Sequence, residues 1–170
     1  MNQFADTVDP TRFREAMSLL AAGVSVVTSA GSDGTPYGLT ATAVCSVSLE
    51  PPIVLACLAS SSATHGTIVA SNRFALNFLA QADADLAQRF SSSATDKFIG
   101  VEWRAGSEGS PILPGVLAVC QCLLERAVPV GDHTVFFGRV VNMEIPGGGP
   151  DDPLIYFKGL YQSLAESEET

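Results

Sequence analysis

Three short segments hold residues whose types and spacing suit chemistry. From Thr40 to Ser46 the chain reads Thr-Ala-Thr-Ala-Val-Cys-Ser, small and β-branched. A flat aromatic ligand laid along such a strand can approach the backbone closely and take hydrogen bonds from its N–H groups. The commoner meaning of that composition is a crowded strand crossing in a barrel core. Ser60, Ser61, Ser62 and Thr64 precede a helical segment, so hydroxyls and unpaired N–H groups could face an anion with help from the helix dipole. Capping without a ligand is their commoner use. Arg89, just before Phe90, is the nearest-looking cation. In Gly131-Asp132-His133 a histidine sits in a turn, where it is usually solvated or bonded locally. Asp132 beside it can favour the charged form, and a hydrogen-donating imidazole would help hold a pyrophosphate or carboxamide.

Other chemistries find less support. No Ser or Cys nucleophile stands in a recognised motif, and no second His lies at ligand spacing, which weakens hydrolase and metal readings. Of the four cysteines, Cys120 and Cys122 share one face of a strand. Two thiols without a second pair make a poor zinc site, so no metal is expected and all four thiols read as reduced.

The elements that must position these residues follow from pattern. Asp9-Pro10-Thr11 opens a helix carrying Phe13, Met17 and Leu20 and ended by Gly23. Val24, Val26 and Val27 form a strand that turns at 29–36 into a hairpin returning through 37–40. The small-residue segment 40–49 closes at Glu50-Pro51-Pro52, and Ile53 to Leu58 reads as a buried strand. A short helix spans 65–70, an alternating strand 74–79 and a helix 83–90. A long polar connection over 91–110 holds the only tryptophan, Trp103. Strands over 116–126 and 134–144 meet across 129–133, and Pro146-Gly147-Gly148-Gly149-Pro150 leads to a last strand at 153–157. About six strands with hairpin-length links imply an antiparallel barrel. The glycine run has the wrong spacing for a phosphate loop, so a Rossmann domain is not expected.

Composition sets the outer bounds. The 170 residues suit one domain. Nine Lys and Arg against eighteen Asp and Glu give a net charge of −9, which opposes a nucleic-acid or anionic-lipid partner. With 46% hydrophobic and 16% charged residues the chain has a packed interior, and more apolar content than a monomer buries. No apolar stretch is long enough for a membrane helix, and Met1 to Asp6 lack the features of a secretory signal. A cytoplasmic location is expected.

In order along the chain stand Phe13-Arg14, Gly23-Val24 and Val26-Val27-Thr28, then Gly38-Leu39-Thr40-Ala41-Thr42-Ala43 and Ser46-Val47-Ser48-Leu49-Glu50-Pro51-Pro52. Phe74 to Leu79, Asp96-Lys97-Phe98, Gly109-Ser110-Pro111, Gly131-Asp132-His133 and Tyr156 to Tyr161 follow. Together these motifs resemble the short-chain flavin reductases, the reductase partners of two-component flavin-dependent monooxygenases. The resemblance covers 9–164 as a single flavin reductase-like domain, with 1–8 and 165–170 expected as flexible termini.

The resemblance implies a mainly β fold with a few short helices, a split antiparallel β-barrel of the Greek-key, FMN-binding type working as a homodimer. FMN, or FAD in some members, would lie near the subunit interface. NADH or NADPH would pass a hydride to it, and reduced flavin would leave for a separate monooxygenase component. Carried over by position, Thr40, Ala41, Thr42, Ala43 and Ser46 would line the ring and ribityl chain. Cys57, Leu58, Ala59 and Ser60 would pass beside it, Ser62 and Thr64 would take the phosphate, and Arg89 and Phe90 would close that end. His133 would hold the nicotinamide nucleotide, with Tyr161 near it, and no indispensable catalytic acid or base is expected. Many relatives carry Asn where Thr42 stands, and some carry Lys or Arg where this chain has Ser60-Ser61-Ser62, which leaves FMN against FAD open. Two rival readings are an FMN-dependent oxidoreductase on a related barrel (pyridoxamine-phosphate-oxidase-like or a corrinoid reductase) and a non-catalytic flavin-binding barrel.

Overall fold

The computed structural model describes residues 8–147 and 152–164. The expected flexible termini, Val8 excepted, and the middle of the glycine-rich loop lie outside them. Helix α1 (Pro10–Ser18) starts as expected, with the Asp9 carboxylate accepting from the Thr11 N–H at 2.8 Å. It stops at the Leu19 cap rather than at Gly23, which instead sits in a two-residue strand, β1 (Ala22–Gly23), paired with Ile155. No residue of α1 is buried.

Strands β2 (Ser25–Ala30) and β3 (Pro36–Ala41) form the expected hairpin. Next come β4 (Val44–Leu49), β5 (Pro52–Ala59), α2 (Ala63–Ser71), β6 (Arg73–Phe78) and α3 (Ala84–Ser91). After the short pair β7 (Arg104–Ala105) and β8 (Pro111–Ile112), the long strands β9 (Ala118–Val130) and β10 (His133–Glu144) make a hairpin around Gly131 and Asp132. The described chain closes with β11 (Ile155–Phe157) and β12 (Leu160–Gln162), which join β1 in a small sheet. The two-residue strands and β12 escaped the sequence because pieces so short carry no periodicity.

The principal sheet is antiparallel, in the order β3-β2-β6-β9-β10-β5-β4. Its edge strands, β3 and β4, are consecutive in the chain and joined only by Thr42 and Ala43. Laid flat, six inter-strand spacings would separate them by ~29 Å, whereas the step from Ala41 to Val44 spans at most ~11 Å. The sheet is therefore strongly curled, with both edges brought to one corner. Thr40 to Ser46 is accordingly not one strand, as the composition suggested, but the end of β3, a corner and the start of β4.

Curling divides the core in two. Inside pack Val27, Ala56, Leu58, Phe74, Leu76, Cys122 and Phe136, with Ile68 of α2. Outside, Val26, Ala75 and Val119 pack against Phe90, Leu113 and Leu154. Strand β6 is buried on both faces, so its expected alternation is between two cores, not between core and water. Gly138 lets β10 close over Phe74, because a methyl there would lie 2.4 Å from the ring's Cζ.

Candidate functional site

Register fixes which side chains share the outer face of β5 and β10. His133 stands opposite Ala59 and Val135 opposite Cys57, while Thr134 and Phe136 point inward with Leu58 and Ala56. The Ala43 carbonyl accepts from the Cys57 N–H at 2.9 Å, and the Asp132 carbonyl from the Ser60 N–H at 3.0 Å. Ala43, Cys57, Ala59 and His133 thus line up as a shelf whose floor is small side chains and whose far end is an imidazole. Of these, Ala43 is exposed and the other three half-buried. Burial, reinforced by the Asp132 charge, pushes the Cys57 thiol up, so it stays protonated and apolar at neutral pH.

At that far end His133 Nδ1 lies 2.8 Å from Asp132 Oδ1. The hydrogen bond to His133 holds the Asp132 carboxyl below the usual carboxylate range, helped by its own backbone and by the imidazole's charge. With Nδ1 tied to a carboxylate, Nε2 is the nitrogen left for a ligand. The adjacent inward residue, Thr134, is braced from behind by His65 Nε2 at 2.9 Å, and the His65 ring meets Phe136 edge-on at 5.1 Å. Sequence reasoning passed over His65, whose lone position in a helix carries no signal of this brace.

Past Ala59 the chain turns through Ser60–Ser62 into α2, and a cleft of about 660 Å³ opens. Ser61, Ser62 and Thr64 line one wall and the 92–98 loop the other, with Tyr37 and Gly38 in the lining. The Ser62 hydroxyl accepts from the His65 N–H at 3.2 Å and donates to the Ala59 carbonyl at 3.0 Å. Capping is therefore how this serine is held at the cleft, not an alternative to it. Gly38 can only be glycine here, since a methyl would lie 2.7 Å from the Phe90 ring. Phe90 is buried and meets Phe98 edge-on at 4.9 Å.

The cation that lines this cleft is Lys97. Its ammonium donates to the Phe90 carbonyl at 2.9 Å, and partial burial lowers its pKa. Arg89 does not line the cleft; its guanidinium ties down the Lys97 and Ile99 carbonyls. Lys97 was overlooked as a ligand although it stands in the Asp96-Lys97-Phe98 motif, because separation along the sequence hid its approach to α2.

The remaining expected residues divide. Thr40 commits its hydroxyl to the Ala87 carbonyl at 2.7 Å, anchoring α3 to β3. Ala41 is buried inside the curled sheet, and Thr42 is half-buried at the corner. Ser46 stands opposite Val54, on the sheet side that carries Ala56, and lines a separate apolar pocket with Phe78 and Cys120. Tyr161 packs beside Tyr156 at 5.6 Å against the outer core, and burial there raises its pKa. Within one chain it joins the α3 side and not the shelf.

A shelf of small side chains next to a hydroxyl-lined cleft with one lysine suits a planar group bearing an anionic tail. The family described as flavin reductase like domain matches residues 17–165. A probable flavin reductase of Rhizobium meliloti is 38% identical over 143 residues, 84% of this chain, which spans about half (46%) of that relative's length. The reductase subunit HsaB of a flavin-dependent monooxygenase from Mycobacterium tuberculosis is 37% identical over 96% of this chain and 86% of its own. The crystal structure of a nitrilotriacetate monooxygenase component B homolog from Mycobacterium thermoresistibile superposes with a TM-score of 0.90, at 32% identity over 98% of this chain and 92% of that one.

Proposed function

Because the chain belongs to the flavin reductase like domain family, we propose that it is an NAD(P)H-dependent flavin reductase. It transfers a hydride from NAD(P)H to FMN or FAD and releases the reduced flavin to a partner monooxygenase. The observation that carries this reading is that the small-residue Ala43–Cys57–Ala59 shelf adjoins the Ser62–Lys97 cleft, the Ser62 hydroxyl donating to the Ala59 carbonyl. Residues without bulk leave room for a tricyclic ring, and hydroxyls with one ammonium suit a phosphate.

When bound, the flavin supplies the hydride-accepting ring and the nicotinamide nucleotide supplies the hydride. The chain's own work is placement. Ala43, Cys57 and Ala59 present a flat, apolar floor that excludes water from one face. Ser62, Thr64 and Lys97 hold the tail; Gly38 and Phe90 keep that cleft open and rigid. His133, oriented by Asp132, offers Nε2 to the nicotinamide nucleotide. No side chain on the shelf need exchange a proton, and holding the two reactants in contact is the main contribution.

The fold we assign is a split barrel, one flavin reductase-like domain over 9–164, functioning as a homodimer. Supporting the dimer, Phe13 and Met17 of α1 are 57% and 47% exposed and Leu20 just beyond its cap is 64% exposed, an apolar patch that one chain leaves uncovered. None of the described helices is long and apolar enough to cross a membrane. We place the enzyme in the cytoplasm, consistent with four free cysteines. Following absorbance at 340 nm with NADH and free FMN tests the activity: flavin-dependent NADH loss is expected, and no loss with either NADH or NADPH would refute it.

A further inference from the structure

The His133 end of the shelf sits where the β5–β10 ladder gives out. His133 opposite Ala59 is the last pair of that ladder, and one further bond, from the Ser60 N–H to the Asp132 carbonyl at 3.0 Å, lies beyond it. Strand ends fray unless something else holds them. Here α2 does. His65 and Ile68 stand three apart, on one face of the helix, and Ile68 is fully buried among the inward side chains of the sheet. Helical side chains lean toward the N-terminus, which brings the imidazole to the root of β10. His65 Nε2 hydrogen-bonds the Thr134 hydroxyl at 2.9 Å, and Ser60 Oγ lies 3.5 Å from the same hydroxyl. Thr134 follows His133 and Ser60 follows Ala59, so one imidazole ties the two strand ends that bear the far edge of the shelf.

Packing does not require this polar pair. Thr134 is buried, and the next inward residue of β10 is the fully buried Phe136. A valine has the shape of threonine, and exchanging both partners of a buried hydrogen bond for apolar groups is close to neutral. What the pair adds is a fixed position. The backbone of residue 65 has a separate duty: its N–H donates to Ser62 Oγ at 3.2 Å and holds the α2 cap at the hydroxyl cleft whatever side chain is present. The flavin-tail side thus depends on the main chain of His65, and the nicotinamide side on its ring.

We propose that His65 is a positioning residue for the nicotinamide nucleotide: by fixing Thr134 and Ser60 it keeps His133 in register with Ala59, where Nε2 meets the nucleotide. The inference rests on the flavin reductase reading above and adds to it the group that holds the contact histidine in place.

The test combines steady-state kinetics, with FMN as acceptor, and equilibrium titration of FMN on the full chain and its variants. His65→Leu and Thr134→Val should each raise the KM for the nicotinamide nucleotide about fivefold, the worth of one neutral hydrogen bond. Their kcat and FMN dissociation constant should not move. The double variant should be no worse than either single one, since both cut the same link. His65→Gln, whose amide can take the place of Nε2, should stay near the wild-type KM. An unmoved KM in His65→Leu, multiplied effects in the double variant, or FMN affinity lost in step with KM would overturn the proposal, as would failure of His65→Gln to restore KM. Should His65→Leu fail to fold, Thr134→Ser against Thr134→Val decides, because serine keeps the hydroxyl and should keep the wild-type KM. A wild-type chain that oxidised neither NADH nor NADPH with flavin present would instead remove the reductase reading itself, a result distinct from those.

Discussion

The two faces of the β5–β10 ladder share one backbone and have opposite designs. Inward, Ala56, Leu58 and Phe136 are fully or almost fully buried, and Gly138 leaves no room for a methyl between β10 and the Phe74 ring. Outward, Cys57, Ala59 and His133 are partly open, with Val135 the one larger side chain paired opposite Cys57. The inner face spends its side chains on filling space, the outer face on leaving it. That difference teaches that the small residues of the shelf are not there for packing, since the same strands pack well with large ones one residue away.

The largest effect expected from breaking this contrast lies inside. Gly138→Val would drive a branched side chain into Phe74 Cζ and Cys122 Cβ, 2.4 and 2.8 Å from the first added carbon. Overpacking of this kind costs ~1–3 kcal/mol or more, read as a lower urea midpoint; an unchanged midpoint would mean the inner face is loose. Outside, Ala59→Trp should reduce flavin-dependent NADH oxidation by at least about tenfold while stability stays within ~0.5 kcal/mol, as for a surface change. A variant that lost stability and kept activity would reverse the roles assigned to the two faces.

Smaller effects sharpen the outer face. His133→Ala should raise the KM for the nicotinamide nucleotide by about tenfold, the worth of one good polar contact, and leave the flavin dissociation constant alone. Flavin affinity lost with KM unmoved would reassign the histidine. Asp132→Asn should move KM in the same direction by less, because the imidazole keeps its place opposite Ala59. The pH sign follows from Asp132: its folded pKa is depressed, so the contact is in place above the ordinary carboxylate pKa and is lost as pH falls through the lowered value. Wild-type KM should therefore rise in acid, and the acid limb should flatten in Asp132→Asn.

Much of this was legible from residues in a row. The Asp9 cap appears where it was expected, and the hairpin turn falls inside the expected 29–36 run. The α2 cap falls on Ser62, one of the four hydroxyl residues singled out, and the helix starts two residues ahead of where it was expected. What needed three dimensions was register and curl. The 40–46 segment looked continuous because its residues are uniformly small; only the closing of β3 toward β5 bends it at Thr42 and Ala43 and turns Ser46 away from the shelf. Arg89, just before Phe90, looked like the nearest cation, whereas Lys97 reaches the cleft through a loop without periodicity. The Asp132-His133 pairing could be written from sequence, but its place across from Ala59 could not.

The shelf is tested most directly by titrating FMN into the wild-type chain and into Ala59→Trp and following flavin fluorescence, with unfolding midpoints measured on the same samples. The account predicts saturable binding by the wild type, loss of most of it in Ala59→Trp, and matching midpoints. Equal FMN binding by the two proteins would place the flavin elsewhere on the molecule and contradict the account.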